Sequence, residues 1–157
     1  MTLALIDYGA GNLHSVENAL RAAGADDIIV TADPDVVLNA DRIVLPGVGA
    51  FGACMNALSA IQGMPEAMES ATFGRGRPFL GVCVGMQLMA EYGVEHGTHS
   101  GLGWVSGTVA PMKPRNDVRI PHMGWNDVRL SNGGHALLRE GEAYFLHSFA
   151  YMNGQFP

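Results

Sequence analysis

In the run "PFLGVCVGMQLMAEYG" (Pro78 to Gly93), Cys83 stands between Gly81 and Gly85. An apolar segment precedes it and a helical pattern follows. Strand, G-x-C-x-G and helix in that order match a nucleophile elbow, with sulfur where such turns often carry a serine. The two glycines suit a turn too tight for side chains beside the nucleophile. The start of the following helix favours thiolate over thiol, and the backbone N–H of Val84 is placed to meet a developing oxyanion. A second glycine-rich run, "LPGVGAFGA" (Leu45 to Ala53), also follows an apolar strand. Alone it reads as an ordinary turn. On the same sheet edge as Cys83, it reads better as the other half of an oxyanion hole. Cys54, on a helical face in "FGACMNAL", reads as a small buried hydrophobe.

The elements that must position these groups alternate. "LALID" (Leu3 to Asp7) is a short strand. Leu13, Val16, Leu20 and Ala23 then share one helical face, with Gly24 as the stop. "DIIVT" is a second strand, and Asp33 with Pro34 opens a short helix. "RIVLPGVG" carries a third strand, Phe51 to Ile61 and Pro65 to Phe73 read as helices, and "RPFLGV" is a fourth strand. Val84 to Tyr92 is expected to be helical throughout. Short apolar strands alternating with helices predict an α/β fold, a doubly wound and mostly parallel sheet with helices on both faces. From Gly101 the segments "GWVSGTVAPMK", "DVRIPHMGWNDVRL" and "AYFLHSFAY" read as strands of an antiparallel extension within the same single domain, residues 1–157.

Composition narrows the class. The 157 residues are 48% hydrophobic and 15% charged, with a formal net charge of −6. That is a globular composition. Lys and Arg are scattered, so neither nucleic acid nor a membrane surface is expected as a partner. The two cysteines make a poor disulfide framework, and the N-terminal run lacks a basic leader, so reduced thiols in the cytoplasm are expected. His96 and His99 have H-x-x-H spacing, but in a glycine-containing loop they read as surface rather than as a metal site. The nine methionines are scattered gap-fillers.

Taken together, "IDYGAGNLHSV", "LPGVGAFG", "GVCVGMQLM", "PHMGWNDV" and "YFLHSF" resemble the class I (triad) glutamine amidotransferases. More narrowly, they resemble the glutamine amidotransferase subunits of imidazole glycerol phosphate synthases. The resemblance runs from Ile6 to Phe149. It implies that Cys83 attacks the side-chain amide of L-glutamine, forming a thioester and ammonia, and that ammonia passes to a (β/α)8-barrel synthase partner in histidine biosynthesis. It also implies roles at matching positions. Val48 and Gly49 lie on the oxyanion segment, with Val84 giving the other amide. Gly47, Gln87 and Glu95 bind substrate, Glu95 through the α-ammonium, and His147, Ser148 and Phe149 grip its amino-acid end. Asn12 and Pro121, His122, Met123, Gly124, Trp125 and Asn126 meet the barrel partner. No cofactor or metal is implied.

The resemblance further implies a histidine base oriented by a glutamate in a late F-H-P-E-like segment, and these 157 residues contain none. His14, His122, His135 and His147 do not match the family's base. The chain is therefore expected to be a C-terminally shortened copy, poorly stable and of doubtful activity by itself. The alternatives are a partner-binding module without turnover, or a peptidase-like or glyoxalase-like elbow-cysteine enzyme.

Overall fold

The computed structural model describes residues 1–114, 119–130 and 137–152. They form two compact units: Met1–Ala110 with Tyr151 and Met152, and Pro111–Ala150.

The first unit is built on four parallel strands: β1 (Leu3–Ile6), β2 (Ile28–Thr31), β3 (Arg42–Leu45) and β4 (Phe79–Gly81), in the spatial order β2-β1-β3-β4. Side chains alternate across a strand, so successive residues face opposite ways. Leu3, Leu5 and Val44 form one cluster, covered by Leu13, Val16 and Leu20 of α1 (Leu13–Ala22). Ala4, Ile6, Ile43 and Leu45 are also buried. Burial on both faces explains why β1 and β3 read as continuous apolar runs, whereas Ile29 and Val30 of β2 and Leu80 of β4 are exposed. Each fully buried Leu or Ile contributes about 1.5–3 kcal/mol of transfer free energy.

Local signals set the helix ends. The Asn12 side chain accepts from the Ser15 N–H at 3.2 Å and caps α1. Asp33 caps α2 (Pro34–Asn39), with Pro34 in the first turn, where its missing N–H costs nothing. Helix α3 (Phe51–Ala60) follows the glycine-rich loop, and α4 (Met64–Glu69) runs on into a wider π-helical turn, Ser70–Gly74.

The segment after the elbow departs from expectation. Helix α5 covers only Val84–Gln87, and Ala90–Gly93 is a strand, β5. The carbonyls that a longer helix would have used are taken by distant donors. Leu102 N–H bonds Leu88 O at 2.8 Å, Trp104 N–H bonds Met89 O at 2.9 Å and Gly103 N–H bonds Ala90 O at 3.0 Å. A Cβ on Gly93 would overlap the Phe51 ring. Pairing with a later segment therefore overrides the helical pattern in "GMQLMAEY". The strands β5, β6 (His99–Ser100), β7 (Val105–Pro111) and β10 (Phe149–Met152) make a second sheet, in the order β10-β7-β5-β6. In it β5 is antiparallel to β6 but parallel to β7, so the extension is mixed rather than antiparallel throughout.

The second unit contains one long antiparallel hairpin, β8 (His122–Val128) with β9 (Gly141–His147). Among the described residues, no helix is long and apolar enough to cross a membrane.

Candidate active site

Strand β4 ends at Gly81, and two residues later Cys83 adopts φ 55° and ψ −119°. A non-glycine residue at positive φ costs of order 1–3 kcal/mol and persists only where its surroundings enforce it. Here they do. A Cβ on Gly81 would lie 2.5 Å from Met86 Cα, and one on Gly85 would overlap the Leu45 carbonyl. Both flanking positions are therefore closed to any side chain, as the sequence pattern requires. Val82 N–H bonds Leu45 O at 2.9 Å, and Gly85 N–H bonds Val82 O at 3.0 Å, tying the turn to β3. Cys83 is exposed and outside any disulfide, whereas Cys54 is buried. The elbow helix is a single turn, so its influence on the thiol comes from nearby N–H groups rather than from a long dipole. Val84, at the first helical position, has an N–H with no acceptor inside the helix.

The glycine-rich loop packs directly on this turn. A Cβ on Gly47 would lie 2.5 Å from Gly85 N and 3.0 Å from the Val84 carbonyl carbon. Only a glycine lets the two backbones approach so closely. Val48 and Gly49 follow at the surface, Gly49 with φ 111°. Gly47, Val48, Gly49, Cys83 and Val84 are thus brought to one edge of the parallel sheet. Gln87 is half-buried at the end of α5. Glu95 is half-buried and accepts from the Phe51 N–H at 2.9 Å, supplying the start of α3 with the cap that Ala50 cannot give.

Three contributors were not picked out as site residues in the sequence. The Tyr8 hydroxyl donates to Pro46 O at 2.8 Å. The Cys54 thiol donates to Val48 O at 3.3 Å. The Tyr151 hydroxyl donates to Met86 O at 2.9 Å, holding the end of the elbow helix. Burial, reinforced by the Cys54 thiol, pushes the Tyr8 hydroxyl well above its ordinary value. Burial likewise raises the Cys54 thiol, and the charges of Glu95 and Cys83 raise it further against a lowering hydrogen bond from Tyr8. Burial pushes Tyr151 up to about 12. All three are therefore neutral donors at physiological pH. Tyrosines in "IDYGAGN" and "FAYM" carry no spacing signal that marks them, because their partners are backbone carbonyls distant in the chain.

The remaining candidates belong to other elements. His14 is exposed on α1, beside Asn18. The His99 ring covers the face of Gly52. His135 lies outside the described residues. In the second unit, His122 Nδ1 and His147 Nε2 are 3.0 Å apart, and the His122 ring stacks on Phe145 at 4.8 Å. His147 Nδ1 is 3.1 Å from Phe149 O, and Ser148 O accepts from the Met112 N–H at 2.8 Å. The opposite face of the hairpin is apolar and bare. Met123, Trp125, Tyr144 and Leu146 are 59%, 71%, 55% and 63% exposed. Trp125 meets Tyr144 edge to face at 5.7 Å. Trp125 is thus a surface aromatic, not a core one. Pro121 and Asn126 are exposed beside it, and Gly124 is half-buried.

A parallel sheet with a cysteine elbow and a glycine loop against it defines a class of cysteine-nucleophile α/β proteins. The family model "Glutamine amidotransferase class-I" matches residues 4–155, and the chain belongs to that family. It is 59% identical to the imidazole glycerol phosphate synthase subunit HisH of Zymomonas mobilis, over 96% of this chain and 72% of that protein. The protein of the same name from Rhodospirillum rubrum is 50% identical, over 96% of this chain and 75% of its own length. That from Caulobacter vibrioides is 51% identical, over 95% and 74%. A solved structure described as a glutamine amidotransferase superimposes with a TM-score of 0.70 at 15% identity, covering 96% of this chain and 74% of that one, and supports the fold.

Proposed function

We propose that this chain is the glutamine amidotransferase subunit of imidazole glycerol phosphate synthase. It hydrolyses L-glutamine to glutamate and ammonia for a (β/α)8-barrel synthase partner in histidine biosynthesis. The single observation that carries the chemistry is the exposed Cys83 thiol, held at positive φ between two glycines that have no room for a side chain. The thiolate attacks the amide carbon, and the oxyanion is met by the amides of Val84 and of the Val48–Gly49 segment. The C–N bond breaks, the nitrogen leaves as ammonia with the proton that the thiol gave up, and water resolves the thioester to glutamate and free thiol. Gly47, Gln87 and Glu95 surround the substrate. One Glu95 oxygen accepts from the Phe51 N–H, and its other oxygen serves the α-ammonium. His147, Ser148 and Phe149 act through their backbone at the amino-acid end. The bare face of Met123 and Trp125, with Asn12, Pro121, His122, Gly124 and Asn126, meets the barrel. An exposed aromatic flanked by apolar neighbours has the composition of an interface hot spot. The match of one family model across residues 4–155 supports reading both units as parts of one domain.

The test is glutamate release in the presence of the synthase subunit, in the parent chain and in Cys83→Ala. Loss of release with Cys83→Ala, and retention of synthase binding, is the expected result. Undiminished release would refute the assignment.

A further inference from the structure

The loop from Pro46 to Phe51 has few side chains to hold it, yet its peptides must be fixed if they are to donate to an oxyanion. Three bonds fix it from outside. At one end the Tyr8 hydroxyl donates to Pro46 O at 2.8 Å, and at the other Glu95 accepts from the Phe51 N–H at 2.9 Å. Between them the Cys54 thiol, from the buried face of α3, donates to Val48 O at 3.3 Å.

In a planar trans peptide the carbonyl and the N–H point opposite ways. Holding Pro46 O toward Tyr8 therefore turns the Gly47 N–H away from Tyr8. Holding Val48 O toward the buried Cys54 likewise turns the Gly49 N–H away from the core, on the exposed side of the loop. Val48 is itself exposed, and Gly49 sits at φ 111°, where a Cβ would meet nothing within 4 Å. Without the two buried donors, this stretch has no side chain of its own to set its peptide planes.

We propose that Tyr8 and Cys54 are positioning residues for glutamine hydrolysis: from beneath the loop they set the peptide planes of Pro46–Gly47 and Val48–Gly49, and so aim its amides at the oxyanion. The inference rests on the amidotransferase reading above. It gives the second cysteine a task that burial alone does not, and it explains why a tyrosine follows Asp7 at the end of β1. Neither residue touches the substrate. Their loss lowers the rate of acylation rather than substrate affinity.

The experiment uses the amidotransferase in complex with its synthase partner. It compares the parent with Tyr8→Phe, Cys54→Ala, Cys54→Ser and Cys83→Ala, reading kcat and KM for glutamine, the rate of Cys83 alkylation by iodoacetamide, and the thermal transition. Tyr8→Phe and Cys54→Ala are each expected to lower kcat about tenfold, with KM, Cys83 alkylation and the transition near those of the parent. Cys54→Ser keeps a donor to Val48 O and is expected to recover most of that loss. The Tyr8→Phe, Cys54→Ala double variant is expected to lose less than the product of the single losses, because both donors hold one loop. Parent-like kcat in both single variants, with Cys83→Ala inactive, would overturn the inference and leave the amidotransferase reading standing. A parallel fall of kcat, alkylation rate and thermal transition, unrelieved by Cys54→Ser, would mark a purely structural role and also overturn it. Normal hydrolysis by Cys83→Ala would remove the reading on which the inference rests, and the inference with it.

Discussion

The elbow and the β8–β9 hairpin solve opposite problems. Around Cys83 the specification lies in missing side chains: Gly47, Gly81 and Gly85 each face a backbone too near for a Cβ. On the hairpin it lies in large side chains left uncovered, with Trp125 and Tyr144 edge to face on a bare face. A catalytic turn must hold one reacting atom in place, and dense backbone contact does that. A docking surface, which we propose this face to be, must stay open until another chain supplies the rest of its core. Substitutions at the elbow should therefore disturb chemistry or folding, and substitutions on the hairpin face should disturb association alone.

The strongest way to break that contrast is at Cys83. Cys83→Gly removes the nucleophile while relieving the positive φ. Glutamate release should fall by at least about 10³-fold, while the chain gains about 1 kcal/mol in a denaturant titration. Loss of stability there would show that the turn is not strained. Next comes Gly85→Ala, whose methyl meets the Leu45 carbonyl. It should destabilise the first unit by about 3 kcal/mol or more, seen as a lower thermal transition. Trp125→Ala should weaken synthase binding by about 2 kcal/mol in calorimetry and leave the thermal transition unmoved. A shifted transition would make Trp125 part of a core after all.

The smaller effects sharpen the comparison within the first unit. Tyr8, Cys54 and Tyr151 all have ionisations raised by burial. Below pH 9.0, the ordinary value for a cysteine thiol, these groups are protonated whether the chain is folded or not and add no pH dependence. Above it the unfolded chain loses protons that the folded chain retains, so stability should fall as pH rises from about 9 toward 12. A flat stability profile across that range, measured by denaturant titration, would contradict the burial of these groups. Least of all, Asn12→Ala should cost about 1 kcal/mol through the lost cap on α1.

Much of this was legible without coordinates, and the legible part has a common character. Asp33 with Pro34, Gly24 after α1, and Gly81 with Gly85 around Cys83 are signals whose meaning depends on neighbours within a few residues. Strands β1 and β3 were readable because burial on both faces leaves a continuous apolar run, and β2 and β4 are apolar too although Ile29, Val30 and Leu80 are exposed. The misreading of Ala90–Gly93 came from the opposite situation. Its local pattern is helical, but carbonyls from Leu88 to Ala90 are claimed by Leu102, Gly103 and Trp104. The exposure of Trp125 was equally undecidable, since a tryptophan in an alternating strand suits a core or an interface alike.

The sequence by itself determined the candidate nucleophile, the turn that presents it and the glycine loop that must lie near it, because residue type and short spacing dictate what a backbone can do locally. Only the tertiary structure decided which groups hold that loop. Tyr8, Cys54 and Glu95 reach it from three separate segments, and they bond to main-chain atoms that any residue would offer. A contact with a carbonyl or an N–H leaves no mark on the partner's side chain, so it becomes visible only when folding brings the two together.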